Sequence, residues 1–287
     1  MTAVAIANIF ADPVDGTRYR LDDPAVRAAL VAEARRQLAH DGCAILPSFV
    51  TPKAVARMAG EVMDLLPHAH RRDLLLRAYP GEPDESVPAG DPRRRATPFA
   101  MNSVATDQFD PDGPVMRLYI WDGLTRLVAD MLDEPLLYRV ADPLMSCNAT
   151  ILGDGDQHGW HFDSNDFVIS LLLQAAEAGG RFEFAPAIRG PGDENLVGVA
   201  AAMDGTSPLL RQPPMAPGAL ILFRGRNSLH RVTPVLGARK RIIALFSYDR
   251  RPDMHFAERS RINVFGRSQP IPRQPARPGG AAMPSSA

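Results

Sequence analysis

Between Ser146 and Asp249 the chain carries five short apolar runs: "SCNATILG" (146–153), "FVISLLLQ" (167–174), "GRFEFAPAI" (180–188), "GALILFRG" (218–225) and "RIIALFSYD" (241–249). Each has the length and side-chain type of a β-strand, and Gly, Pro, Asp and Asn punctuate the gaps. No helical stretch recurs between them. Parallel strands are usually joined by crossover helices, so a parallel αβ array is not expected. The helical patterns come first and the strands afterwards. That order predicts a mainly β fold with flanking helices: an antiparallel double-sheet barrel with the helices packed outside.

The helical part is legible at its ends. Residues 23–40 predict a helix, with Asp23 as cap, Pro24 in the first turn and Gly42 as the stop. Val26, Leu30 and Ala34 recur at helical spacing. "CAILPSF" reads as a strand. "TPKAVARMAGEVMDLLPHA" is a second helix, with Thr51 as cap and Pro52 at its first position. A third helix is expected from about Asp122 in "MRLYIWDGLTRLVADMLD". Residues 80–98 hold five prolines and no apolar periodicity, the signature of a long loop or lid. Arg93 to Arg95 within it read as a solvated basic run. The Pro-, Gly- and Ala-rich tail from Phe265 predicts disorder. The expected organisation is one domain over 1–264, with helical support over about 20–140 and a β core over about 141–250, then a tail over 265–287.

The formal net charge of this 287-residue chain is -1. Nucleic acid and anionic membrane surfaces are therefore not expected partners. Cys43 and Cys147 lack ligand spacing and read as buried free thiols in a reducing compartment. The N-terminus lacks the basic start and long apolar run of a signal peptide, and no run reaches membrane-spanning length. The expectation is a cytoplasmic protein acting on a small molecule, as monomer or homodimer.

Three residues carry the chemistry. His161 and Asp163 stand two apart in "HGWHFDSNDF", so on an extended chain they project to one side. His230 lies in "GALILFRGRNSLHRVTPV", within reach if two strands of one barrel meet. Two histidines and a carboxylate form the facial triad of non-haem iron(II) sites, with positions open for ligands. Zinc could use the same trio with water. Arg241 opens an apolar strand and can point into the barrel, where its fork would need an anionic partner. Arg239 shares its parity and reads as exposed, with cosubstrate contact as the alternative.

"HFD" at 161–163, "HRVTPV" at 230–235 and Arg241 together resemble the iron(II)- and 2-oxoglutarate-dependent oxygenase superfamily. The resemblance implies a double-stranded β-helix, a jelly-roll core of cupin-like type. It implies iron held by His161, Asp163 and His230, 2-oxoglutarate on Arg241, and O2 as oxidant. "WHFDSNDFVISLLLQ", "GGRFEFAP" and "LFRGRNSLHRVTPV" further resemble the subgroup that hydroxylates or chlorinates free amino acids such as lysine. Halogenases there replace the metal aspartate with a small residue. The presence of Asp163 departs from that pattern and implies a hydroxylase.

Candidate substrate contacts are Asn148, Asn165, Asp166, Glu183, Arg224 and Arg226. Asn148 shares a strand face with Thr150. Glu183 would suit a cationic amine if it faced inward, and a salt bridge if it faced out. His158 stands three before His161, poor parity for a joint ligand, and reads as a support for the ligand shell. Trp160 and Phe162 read as packing. A zinc hydrolase would leave Arg241 without a task, and a non-catalytic jelly roll would need none of the four residues together.

Overall fold

The computed structural model describes residues 13–79, 86–88 and 90–272. Helix α1 is Pro24–Asp41. The Asp23 carboxylate accepts from the N–H groups of Ala25 and Val26, and Gly42 closes the helix at φ 66°, donating to the Leu38 carbonyl. Strand β1 is Cys43–Leu46 and helix α2 is Pro52–Leu65, its first turn held by the Thr51 hydroxyl. Then follow β2 (His70–Arg77) and β3 (Ala96–Val104), α3 (Pro114–Ile120) and α4 (Asp122–Leu132), and β4 (Tyr138–Arg139). The β core comprises β5 (Cys147–Leu152), β6 (Gln157–His161), β7 (Val168–Gln174), β8 (Ala178–Gly179) and β9 (Phe182–Ala185). Helix α5 (Leu196–Met203) interrupts it before β10 (Leu220–Phe223), β11 (Leu229–Val232) and β12 (Val235–Leu236). β13 (Arg241–Phe246), β14 (Tyr248–Asp249) and α6 (Glu258–Phe265) complete the described elements.

Ten strands form one curled antiparallel sheet. One flank runs β1-β10-β7-β13-β5 and the other β6-β11-β9. β3 joins them. Its residues Asn102–Val104 pair with β5, Phe99 and Ala100 pair with β6, and β2 covers its other edge. The result is a double-stranded β-helix of jelly-roll type with helices outside, the expected class.

Strand alternation separates core from cavity. On β13, Ile242, Ala244 and Phe246 pack outward among the helix residues Val55, Met58, Val62, Leu124 and Leu127. Arg241, Ile243 and Leu245 face inward and line a cavity. β5 repeats the scheme, with Cys147, Ala149 and Ile151 outward and Asn148, Thr150 and Leu152 inward. Both cysteines are buried free thiols, and burial pushes the Cys43 thiol up to about 12.

Several elements were not anticipated. β3 begins inside the expected 80–98 loop, and β2, α3, α5 and α6 carry no plain amphipathic pattern. Residues 80–85 and 89 of that loop lie outside the described residues, as do 273–287 of the expected tail. Residues 266–272 are held: Arg267 donates from both Nη1 (2.9 Å) and Nη2 (2.7 Å) to Asp107, which also accepts from the Ile271 N–H. No helix among the described residues is long and apolar enough to cross a membrane.

Asp142 ties the C-terminal strap to the barrel. Its fully buried carboxylate accepts from the N–H groups of Leu144, Met145 and Phe256, and from Arg261 Nη1 at 3.2 Å. Phe256 and Val264 on that strap form part of the cavity wall. Removing one partner of such a buried pair strands the other. Asp142→Ala is therefore expected to lower stability by about 3–5 kcal/mol in a urea titration.

Candidate metal centre

β6 and β11 pair antiparallel, with His161 directly opposite His230. The two rings lie 3.9 Å apart between centroids. His161 Nδ1 is 2.8 Å from the Gly159 carbonyl, and His230 Nδ1 is 2.9 Å from the Ser228 carbonyl. Donation from these Nδ1–H groups leaves both Nε2 lone pairs directed at a common point. Asp163 stands just beyond the end of β6 and donates its N–H to the Gly225 carbonyl at 3.1 Å. Its Oδ1 is 3.8 Å from His161 Nε2 and 3.5 Å from His230 Nε2. One donor atom from each residue falls within a 4.8 Å cluster.

The charges suit a divalent cation. Burial, reinforced by His230 alongside, pushes the His161 ring down to about 3, so it is neutral at pH 7. Burial works against the Asp163 charge, yet the two imidazoles hold its carboxyl below the usual carboxylate range. Two imidazoles whose Nδ1 atoms face backbone carbonyls, together with one carboxylate, are a fitting donor set for iron(II).

Sequence parity alone set His158 apart from His161, and a β-bulge reverses that. The register between β6 and β11 shifts so that three steps on β6 match two on β11. An extra residue in one strand turns the alternation over. The His158 ring consequently stacks on His161 at 4.0 Å and 15°, with its side against Phe99. Gly159 sits in the bulge because a Cβ there would lie 2.6 Å from the Pro98 carbonyl.

His161, Asp163 and His230 open onto a cavity of about 260 Å³. Arg241 lines it, 3% exposed, with no ion pair or hydrogen bond to protein among the described residues. Burial pushes its guanidinium down to about 10. Asn148, Thr150 and Asn165 also line the cavity. The remaining candidates stand elsewhere. Arg239 is exposed and donates to the carbonyls of Ala175 and Ala176. Glu183 faces outward, accepting from Arg231 and Gln212. Asp166 is clasped by Arg226 and Arg250, which fastens the loop after Asp163. Arg224 is exposed. Trp160 is buried in a separate apolar cluster with Arg231 over its ring, and Phe162 carries Arg189 at 3.7 Å.

One charged residue lining the cavity was not anticipated from the sequence: Arg72 of β2. Its neighbours Arg71 and Asp73 point the other way and pair outside. The signal was its opposite parity in "HRRDLLLR", invisible until that segment is known to be a strand.

A family model described as Halogenase D matches residues 26–262. The chain belongs to the Halogenase D family. With its triad and fold it is a member of the iron(II)- and 2-oxoglutarate-dependent oxygenase superfamily. Among solved structures, this Halogenase D family member is similar to AviO1 from Streptomyces viridochromogenes Tue57, at 20% identity over 79% of this chain and 97% of that one, TM-score 0.52. It is also similar to the non-haem α-ketoglutarate-dependent carbocyclase SnoK of nogalamycin biosynthesis, at 13% identity over 84% and 93%, TM-score 0.53. At these identities the likeness shows the fold alone. No curated protein matches the chain.

Gly225 makes room for the metal carboxylate. A Cβ at this position would lie 1.7 Å from Asp163 Oδ2. Gly225→Ala must therefore displace the carboxylate, while the backbone turn, which needs no positive φ, persists. Cobalt(II) titration followed by calorimetry is expected to show affinity reduced about 10–100-fold, with the thermal midpoint of the metal-free protein nearly unchanged.

Proposed function

We propose that this protein is an iron(II)- and 2-oxoglutarate-dependent dioxygenase that hydroxylates an unactivated C–H bond of a small molecule. The observation that carries the reading is Arg241: a buried guanidinium without an acidic partner, in the same cavity as the triad. Such a charge is costly unless an anion meets it. A dicarboxylate cosubstrate supplies that anion while its other end reaches the metal.

His161, Asp163 and His230 would hold the iron, and Arg241 the far carboxylate of 2-oxoglutarate. Iron and cosubstrate together supply oxygen activation coupled to oxidative decarboxylation. The chain's own part is to position and to exclude water. Gly159 and Ser228 orient the imidazoles through their carbonyls. Asn148, Thr150 and Asn165 offer polar contacts for the substrate, and Phe256 and Val264 wall the cavity from solvent. Arg239 is occupied by backbone carbonyls, which leaves the cosubstrate to Arg241. Asp163 fills the position that chlorinating relatives keep small, which supports hydroxylation over halogenation. The resemblance to amino-acid hydroxylases points to an amino acid or a derivative as substrate.

Anaerobic addition of iron(II) and then 2-oxoglutarate should give a weak visible charge-transfer band, absent in His161→Ala. Exposure to air should then yield succinate. Iron binding with no response to 2-oxoglutarate would sink the proposal.

Arg241 itself gives a two-sided expectation. In Arg241→Met a buried, unpaired charge is gone, so the metal-free protein should melt at a higher temperature. The same variant should bind 2-oxoglutarate at least about tenfold more weakly, since a charge-assisted hydrogen bond contributes on the order of 1.5–3 kcal/mol.

A further inference from the structure

The cavity holds a second cation that the cosubstrate does not need. Arg72 on β2 aligns with Met101 on the neighbouring β3, and its side chain enters the cavity beside Met101, Ser103 and His158. Among the described residues its buried Nε has no hydrogen-bond partner, and its Nη2 reaches only the Met101 sulfur, at 3.2 Å. The Phe99 ring lies 5.8 Å from its guanidinium carbon. Burial alone pushes its pKa down, with no carboxylate acting in the opposite sense. Arg71, one residue earlier, shows the contrast: it lies on the outer face and is paired with Asp156 and Asp73.

The cavity carries no matching acid. Among the described residues that line it, Asp163 is the one carboxylate, and it belongs to the candidate metal set. Glu183, the one residue the sequence offered for a cationic amine, is engaged outside by Arg231. The rest of the lining is uncharged: apolar side chains such as Met145, Leu245, Phe256 and Val264, with the amide of Asn148 and the hydroxyls of Thr150 and Ser247 among them. With a divalent metal on the triad and a doubly charged 2-oxoglutarate against Arg241, the formal charges leave one positive charge, that of Arg72.

We infer that Arg72 anchors an anionic group of the substrate, and that the substrate is an apolar monoacid with no ammonium group recognised by the cavity. This rests on the oxygenase reading above and narrows it. Within the class of amino-acid derivatives, those with a masked amine fit, and the free zwitterion or a lysine-like substrate with two ammonium groups does not. The forked guanidinium is suited to a carboxylate, which it can grip with two N–H groups.

The test uses the full chain loaded with zinc(II) and 2-oxoglutarate, which is inert to oxygen, and calorimetric titration with three probes of one length: hexanoate, hexanamide and hexylamine. Saturable binding of hexanoate is expected, with the amide and the amine at least about tenfold weaker. Arg72→Met should weaken hexanoate by about tenfold or more and leave 2-oxoglutarate affinity within about twofold. Arg72→Lys, which keeps the charge without the fork, should fall between, and it carries the comparison if the Met variant does not fold. Three results overturn the inference: no hexanoate binding, hexanoate binding unchanged by both variants, or hexylamine bound as well as hexanoate. Loss of 2-oxoglutarate affinity in the Arg72 variants also overturns it, because Arg72 would then serve the cosubstrate. Failure of the parent reading is distinct: the wild-type protein would not take up 2-oxoglutarate before any probe is added.

Discussion

His161 and His230 can act together because β6 and β11 pair antiparallel with these two residues in register, and the rest of the site is arranged around that pair. Cross-strand neighbours lie within about 4.5–5.5 Å at Cβ, which is near enough for two imidazoles to share one cation. Each ring is then oriented by a backbone carbonyl two residues earlier in the chain, Gly159 within β6 and Ser228 just before β11. The third donor comes from the loop that leaves β6. It is held there by the Gly225 carbonyl, by the space that Gly225 leaves open, and further along by the grip of Arg226 and Arg250 on Asp166.

The same sheet that brings donors together also commits two guanidinium groups to the interior. Arg241 and Arg72 enter the cavity from strands on either side of β5 and β3. Among the described residues the buried carboxylates of Asp142 and Asp156 are matched by Arg261 and Arg71, whereas neither cavity arginine meets an acid. A fold tolerates such groups at a cost to its own stability, and the cost is recovered when an anion arrives. The cavity is thus prepared for negatively charged ligands, and its apolar wall for the hydrocarbon part of one of them.

The helices serve the barrel from outside. Inward and outward residues alternate along β5 and β13, so on these two strands the positions that face the cavity alternate with ones in the apolar core shared with the helices. That backing gives the polar interior a rigid frame. At the open end the strap carrying Phe256 and Val264 closes the wall, and Asp142 holds it through the Phe256 N–H and Arg261, while its own loop is fixed by the N–H groups of Leu144 and Met145.

The sequence by itself determined the mainly β class, the N-terminal helices with their Asp23 and Thr51 caps, and the donor types His161, Asp163 and His230. These follow from local rules: turn residues, caps and the period of two along a strand. Parity also sorted Asn148 and Thr150 onto one face of β5. Tertiary structure decided the rest. Glu183 and Arg239 share the residue types of a binding site, but whether a strand face looks inward or outward depends on which way the sheet curls, and a single strand carries no record of that. His158 looked misplaced because parity fails across a bulge, and a bulge exists only between paired strands. Arg72 was invisible because β2 has no alternation of its own: Leu74, Leu75 and Leu76 run together at the sheet's margin. Its inward direction comes from pairing with Met101 on β3, a partner some thirty residues away that only the folded sheet brings beside it.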